Sequence, residues 1–164
     1  MKLSKNFLEH SKELLKERGL KLTKPRLLLL EFLAKERSAL TPYQMRDMLA
    51  EQSMKSDVVT LYRILEELEK IGLVHKIASL GKFIRCEQED SCDDHEGHHG
   101  GADCHHYLIC ENCGSVEEVV GADADFDGLE KLEVAIKKSK GFAVKRHTLE
   151  FWGLCAKCLK KSKK

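Results

Sequence analysis

"SDVVTLYRILEELEKIGLVHKIASLGKFIRCE", residues 56–87, changes its hydrophobic period partway along. Up to Lys70 the apolar residues Val59, Leu61, Ile64, Leu65 and Leu68 recur at helical spacing, and Gly72 supplies a stop. Ser56 stands where an N-cap is needed. Beyond Gly72 the pattern shortens to two strand-like runs around a turn at Leu80-Gly81. A helix delivered straight into a two-stranded hairpin is the second half of a winged helix-turn-helix.

The upstream residues supply the first half. Phe7, Leu8, Leu14 and Leu15 share a helical face that ends at Gly19. Thr23 with Pro25, then Thr41 with Pro42, repeat one device: a capping hydroxyl followed by a proline in the first turn, where its missing N–H costs nothing. In a winged helix the start of the third helix of this series reaches base edges, and Thr60, Tyr62 and Arg63 lie there. The pattern alone also fits helix-turn-helix domains that never touch DNA, with Tyr62 and Arg63 on a solvated face.

The rear half carries different chemistry. "CENC" at 110–113 and "CAKC" at 155–158 are two C-x2-C pairs, each after a strand-like run. Four thiolates at this spacing make a closed tetrahedral set for structural zinc, with no open position for catalysis. A redox dithiol fits poorly, because neither pair opens a helix in a βαβ unit. His75, Cys86, Cys104, His105, His106, Glu117, Glu118, Asp123, Asp125 and His147 are further donors that spacing alone does not sort. A lone histidine or cysteine in a strand, such as His75 or Cys86, is more often packing than ligand. The intervening "CDDHEGHHGGADC" adds Cys92, His95, His98 and His99, which also read as a solvated tether.

Composition bounds the rest. The 164 residues are 42% hydrophobic and 34% charged, a globular balance, and no apolar run reaches the ~20 residues of a membrane helix. The N-terminus lacks a signal-peptide core, so the expected location is the cytoplasm, where seven cysteines point to metal rather than disulfides. The net charge of +1 hides an asymmetry. Residues 1–82 hold sixteen Lys and Arg against eleven Asp and Glu; residues 83–164 hold twelve against sixteen. A basic front and an acidic, ligand-rich rear suggest two domains with different partners.

"GLKLTKPR", "TLYRILEELEKIGLVHK", "HYLICENCGSVEEV" and "RHTLEFWGLCAKC" together resemble the ferric uptake regulator family of metal-responsive repressors, in order, from about Leu14 to Cys158. The resemblance is strongest to the family's zinc uptake branch. It implies an α+β chain: an N-terminal winged helix-turn-helix domain over 1–87, a His/Asp-rich hinge loop over 88–103, and a small α/β metal-binding dimerisation domain over 104–164. In the latter "DGLEKLEVAIKKSKG" would be the helix, with strands from "SVEEVV" and "FAVKRHTLEFWG". It implies structural Zn2+ on Cys110, Cys113, Cys155 and Cys158. It implies a sensory site from His75, Cys86, His105 and Glu118, where His95, His98 or His99 could replace His105. An auxiliary site would use Cys104, His106, Asp125 and His147. DNA contacts would come from Thr60, Tyr62 and Arg63, with Arg26 on the sugar-phosphate backbone.

The implied function is metal-dependent repression by a homodimer on a palindromic double-stranded operator, with no membrane partner and no small organic substrate. A thiolate–imidazole–carboxylate set suits zinc as the sensed ion. Iron-sensing members place a carboxylate where Cys86 stands and a histidine near Leu40, so Fe2+ is the alternative regulatory metal. A different class stays open, a zinc buffer or delivery protein that uses "HEGHH" as its binding loop. No open three-ligand site with a positioned base is visible, so an enzyme is not expected.

Overall fold

A computed structural model describes residues 2–36, 38–86, 106–119, 127–145 and 147–162. The chain divides into two compact units, 1–93 and 94–164. The segment expected to be a hinge, 88–103, lies outside the described residues.

The first unit holds α1 (Lys2–Glu17), α2 (Lys24–Lys35), α3 (Pro42–Glu51), α4 (Val58–Lys70), β1 (Val74–Ile77) and β2 (Lys82–Arg85). Gly19 ends α1 in the left-handed region, φ 67°, and Leu20 N–H closes onto Leu15 O at 2.8 Å. Thr23 occupies the N-cap of α2, but its side chain makes no capping bond, so Pro25 does more than the hydroxyl to open that helix. Thr41 forms the full capping box of α3. Gln44 N–H donates to Thr41 Oγ1 at 3.1 Å, and Thr41 N–H donates to Gln44 Oε1 at 2.8 Å.

The cap of α4 is Asp57, not Ser56. One Asp57 oxygen accepts Thr60 N–H at 2.8 Å and the other accepts Thr60 Oγ1–H at 2.6 Å. A carboxylate takes both donors and also meets the positive end of the helix dipole, which a serine hydroxyl cannot do. The Thr60 hydroxyl, followed by the Thr60 amide, holds the Asp57 carboxyl below its ordinary range.

The core of this unit joins Phe7, Leu14 and Leu15 of α1 to Leu29, Leu30 and Leu33 of α2, Met45 and Leu49 of α3, Leu61, Leu65 and Leu68 of α4, and Phe83 of β2. Strands β1 and β2 pair antiparallel, Val74 opposite Arg85 and Ile77 opposite Lys82, around a turn that ends at Gly81 with φ 59°. The loop before α3 joins this hairpin: Leu40 N–H donates to Phe83 O at 2.9 Å, and Phe83 N–H donates to Leu40 O at 2.8 Å. Arg85 also donates to Ala34 O at the end of α2, at 2.9 Å. The hairpin is thus fastened to the helices on both sides.

The second unit holds β3 (His106–Cys110), β4 (Val116–Val119), α5 (Asp127–Lys140), β5 (Leu149–Gly153) and α6 (Ala156–Ser162). Its sheet has the order β4-β3-β5. β3 and β4 form an antiparallel hairpin, whereas β5 runs parallel to β3, a geometry that needs the long crossover through α5. The strand expected across "FAVKRHTLEFWG" is confined to Leu149–Gly153; Phe142–Lys145, His147 and Thr148 are irregular.

These packing relations set one stability expectation. Leu65 is fully buried in α4, and Leu65→Ala should cost about 2–5 kcal/mol in urea unfolding. Val59, 62% exposed on the same helix, should change stability by less than about 0.5 kcal/mol when replaced by alanine. Equal effects at the two positions would mean that α4 packs on the other face.

Candidate metal centre

The turn between β3 and β4 brings Cys110 and Cys113 together. Cys110 N–H donates to Ser115 O at 2.9 Å, Gly114 N–H donates to Cys110 O at 2.8 Å, and Gly114 takes φ 69°. Cys155 and Cys158 follow β5 into the first turn of α6. Because β5 lies beside β3, with Gly153 opposite Cys110, the two C-x2-C pairs meet at one end of the sheet. The four sulfur atoms lie within 4.8 Å of one another, and Cys113 Sγ is 3.7 Å from Cys155 Sγ.

A tetrahedral zinc with Zn–S bonds of ~2.3 Å requires sulfur–sulfur edges of about 3.8 Å. The cluster fits that ion. The Cys155 amide, which donates to Cys110 Sγ at 3.3 Å, together with the Cys113 amide lowers the Cys110 thiol to about 6. The Ser115 hydroxyl and amide lower the Cys113 thiol. At Cys158 the Asn112 side chain favours the thiolate, but burial and the three neighbouring thiols outweigh it and push the thiol up to about 11. Asn112 and Ser115 are neighbours of the cluster that the C-x2-C spacing does not announce.

The other expected ligands are distributed as follows. In the first unit His75 lies opposite Ile84, and Cys86 N–H donates to Leu73 O at 3.0 Å, continuing the ladder. His75 and Cys86 therefore share one face of the hairpin as diagonal neighbours, a separation of about 7–8 Å that side chains can span. Cys86 is buried and His75 half-buried. In the second unit Glu118 is buried on β4, opposite Tyr107. His105, and the alternatives His95, His98 and His99, lie outside the described residues.

Of the auxiliary set, Cys104 and Asp125 lie outside the described residues. His106 and His147 come together, their rings stacked with centroids 5.2 Å apart. Leu149 N–H donates to His106 Nδ1 at 3.3 Å. His147 Nδ1 sits 2.7 Å from Glu133 Oε1, a partner contributed by α5 that no sequence spacing connects to His147.

On the winged helix, Thr60 and Arg63 are exposed near the start of α4. Tyr62 is half-buried, its ring edge-on to Phe83 at 6.3 Å. Arg26 is turned into the unit. It is 7% exposed, and its guanidinium donates to Lys21 O and to Glu67 Oε2 of α4. Two of its three nitrogens thus donate within the unit, while its Nε is buried with no partner among the described residues. The sequence hid this because Glu67 is forty-one residues away.

The Ferric uptake regulator family matches residues 17–152. Among curated relatives, the zinc uptake regulation protein of Escherichia coli (strain K12) is 28% identical over 156 residues, covering 95% of this chain and 83% of the relative. The ferric uptake regulation protein of Cupriavidus metallidurans (strain ATCC 43123 / DSM 2839 / NBRC 102507 / CH34) is 34% identical over 145 residues, covering 87% and 90%. A solved structure described as a zinc uptake regulator complexed with zinc and DNA superposes with a TM-score of 0.79 at 26% identity, covering 98% of both chains. The winged helix-turn-helix, the small α/β unit that follows it and the four-cysteine cluster therefore have one explanation: the chain belongs to the ferric uptake regulator family of metal-responsive transcriptional regulators.

Proposed function

We propose that this protein is a zinc-responsive repressor that binds a palindromic DNA operator as a homodimer and controls metal-uptake genes. The observation that carries the zinc reading is the pairing of His75 with Cys86 on one face of the hairpin. A thiolate and an imidazole make that half-site soft. Glu118 and His105 of the second unit would complete the donor set. A divalent ion held there favours one mutual arrangement of the residues that ligate it, which is the differential interaction that a metal-controlled switch requires. Fe2+ remains the alternative, and the likeness to ferric uptake regulation proteins keeps it in the test.

Cys110, Cys113, Cys155 and Cys158 would hold a second, structural zinc. The stacked His106 and His147, with Cys104 and Asp125, would form the auxiliary site. Thr60, Tyr62 and Arg63 would face the operator. The dimer is supported by β5, which has no neighbour on its outer edge among the described residues yet half-exposes Phe151 and Trp152, while α5 exposes Leu132 and Val134. An apolar sheet edge of this kind is normally covered, and a second copy would cover it. No helix among the described residues is long and apolar enough to cross a membrane. A regulator of chromosomal operators would work in the cytoplasm.

Three measurements test this reading. Operator binding by the metal-stripped sensory site, titrated separately with zinc, iron(II) and manganese(II), should respond at the lowest free concentration to zinc. Cys86→Ser should weaken zinc-dependent binding at least tenfold while leaving the dimer and its tightly held zinc in place; binding at the wild-type zinc concentration would reduce Cys86 to a packing residue. A buffer or delivery protein would show no metal-dependent operator binding at all.

Cys113→Ser should lose the tightly held zinc and unfold the second unit, since structural zinc affinity is folding free energy. At pH 7 the intact site should release fewer than four protons on taking up zinc, because Cys110 is already largely ionised. Apparent affinity should rise with pH as the remaining thiols give up their protons. A folded Cys113→Ser dimer without this zinc would remove the structural role.

Arg63→Ala should weaken specific binding by roughly 1–3 kcal/mol if Arg63 reads a base edge. If it meets phosphate, the loss should be similar on all sequences, with a shallower salt dependence. Unchanged binding to every duplex would take Arg63 out of the interface.

A further inference from the structure

Arg26 and Glu67 form an ion pair of unequal exposure: the arginine side chain is 9% exposed and the glutamate side chain 46%. The arginine is fixed from behind by Lys21 O and reaches forward to α4. Glu67 lies on α4 four residues after Arg63, one helical turn away on the same face. Arg63 is exposed and makes no hydrogen bond or ion pair among the described residues.

Arginine and glutamate at i and i+4 are natural partners on a helix surface. An unheld Glu67 would face Arg63 and compete with DNA for its guanidinium.

We propose that Arg26 is a positioning residue for operator recognition: it holds Glu67 away from Arg63 and so keeps the recognition guanidinium available to DNA. The inference rests on the operator-facing role of Arg63 given above. It gives Arg26 an effect on DNA binding with no contact to DNA, and it makes Glu67 the intermediary.

The test uses the zinc-loaded full-length chain and a labelled duplex selected by the wild-type protein from a random-sequence pool. One helical pair of this type is worth up to about twofold in an equilibrium, so two copies in a dimer give about fourfold. Arg26→Gln should therefore weaken binding by up to about fourfold. Glu67→Gln alone should bind as the wild type does. The double variant Arg26→Gln/Glu67→Gln should recover wild-type affinity, while Arg26→Gln/Glu66→Gln should not. In an Arg63→Ala background, Arg26→Gln should have no further effect.

A double variant as weak as Arg26→Gln overturns the proposal, because a direct contact or a general packing defect is not repaired by neutralising Glu67. Unchanged binding by Arg26→Gln also overturns it. If Arg26→Gln melts below the assay temperature, Arg26→Lys carries the same comparison, since lysine keeps the charge but cannot span Lys21 O and Glu67 together. Normal binding by Arg63→Ala would instead refute the operator-facing role itself, so the two failures are told apart.

Discussion

Four thiols held within 4.8 Å cannot all ionise beside one another, and the organisation of the second unit depends on that fact. The turn after β3 and the turn after β5 each contribute two sulfurs, and backbone amides pull one of them toward thiolate while the neighbours push another away from it. A divalent cation resolves the conflict by neutralising the charge where it accumulates. Among the described residues the apolar core of this unit is small. Tyr107, Ile109, Cys110, Val116 and Cys158 are buried, while Phe142, Phe151 and Trp152 stand half out in solvent. Among the described residues, the cluster fixes the end of β5, whose outer edge has no neighbour there.

The first unit is built the opposite way. Its leucine-rich core runs through α1 to α4, and the hairpin is sewn into it by Leu40, Phe83 and Arg85. His75 and Cys86 therefore ride on the same packed body as α4.

Much of this was legible in the sequence because it is written in local signals. The Thr41 capping box, the left-handed Gly72 after α4, the Gly81 turn and the two C-x2-C pairs each depend on residues within a few positions of one another. The Asp57 cap was misread by one position because Ser56 and Asp57 are both capping residues, and only geometry separates them. What stayed hidden is long-range. The bond between Arg26 and Glu67, the contact of His147 with Glu133 and the joining of Leu40 to Phe83 all pair residues that no periodicity links. Arg26 shows the cost: nothing near it in the sequence signals that its guanidinium reaches Glu67 of α4. The last residues of a strand are equally poorly marked, and β5 begins at Leu149 although "FAVKRHT" before it has strand-like composition.

Leu40 bears on the choice of metal. Iron-sensing members of the family that this sequence resembles place a histidine near that position. Here Leu40 is buried, belongs to the core cluster and exchanges two backbone hydrogen bonds with Phe83. A leucine side chain offers no donor, and its backbone is already committed to the hairpin. A ligand at this place would have to leave the core, at the cost of the apolar contacts that hold the wing to α3. The hairpin face with Cys86 and His75 thus carries a thiol and an imidazole while Leu40 stays in the core. A soft site built on this face would keep Leu40 in the core, whereas a site that drew a ligand from the Leu40 position would not.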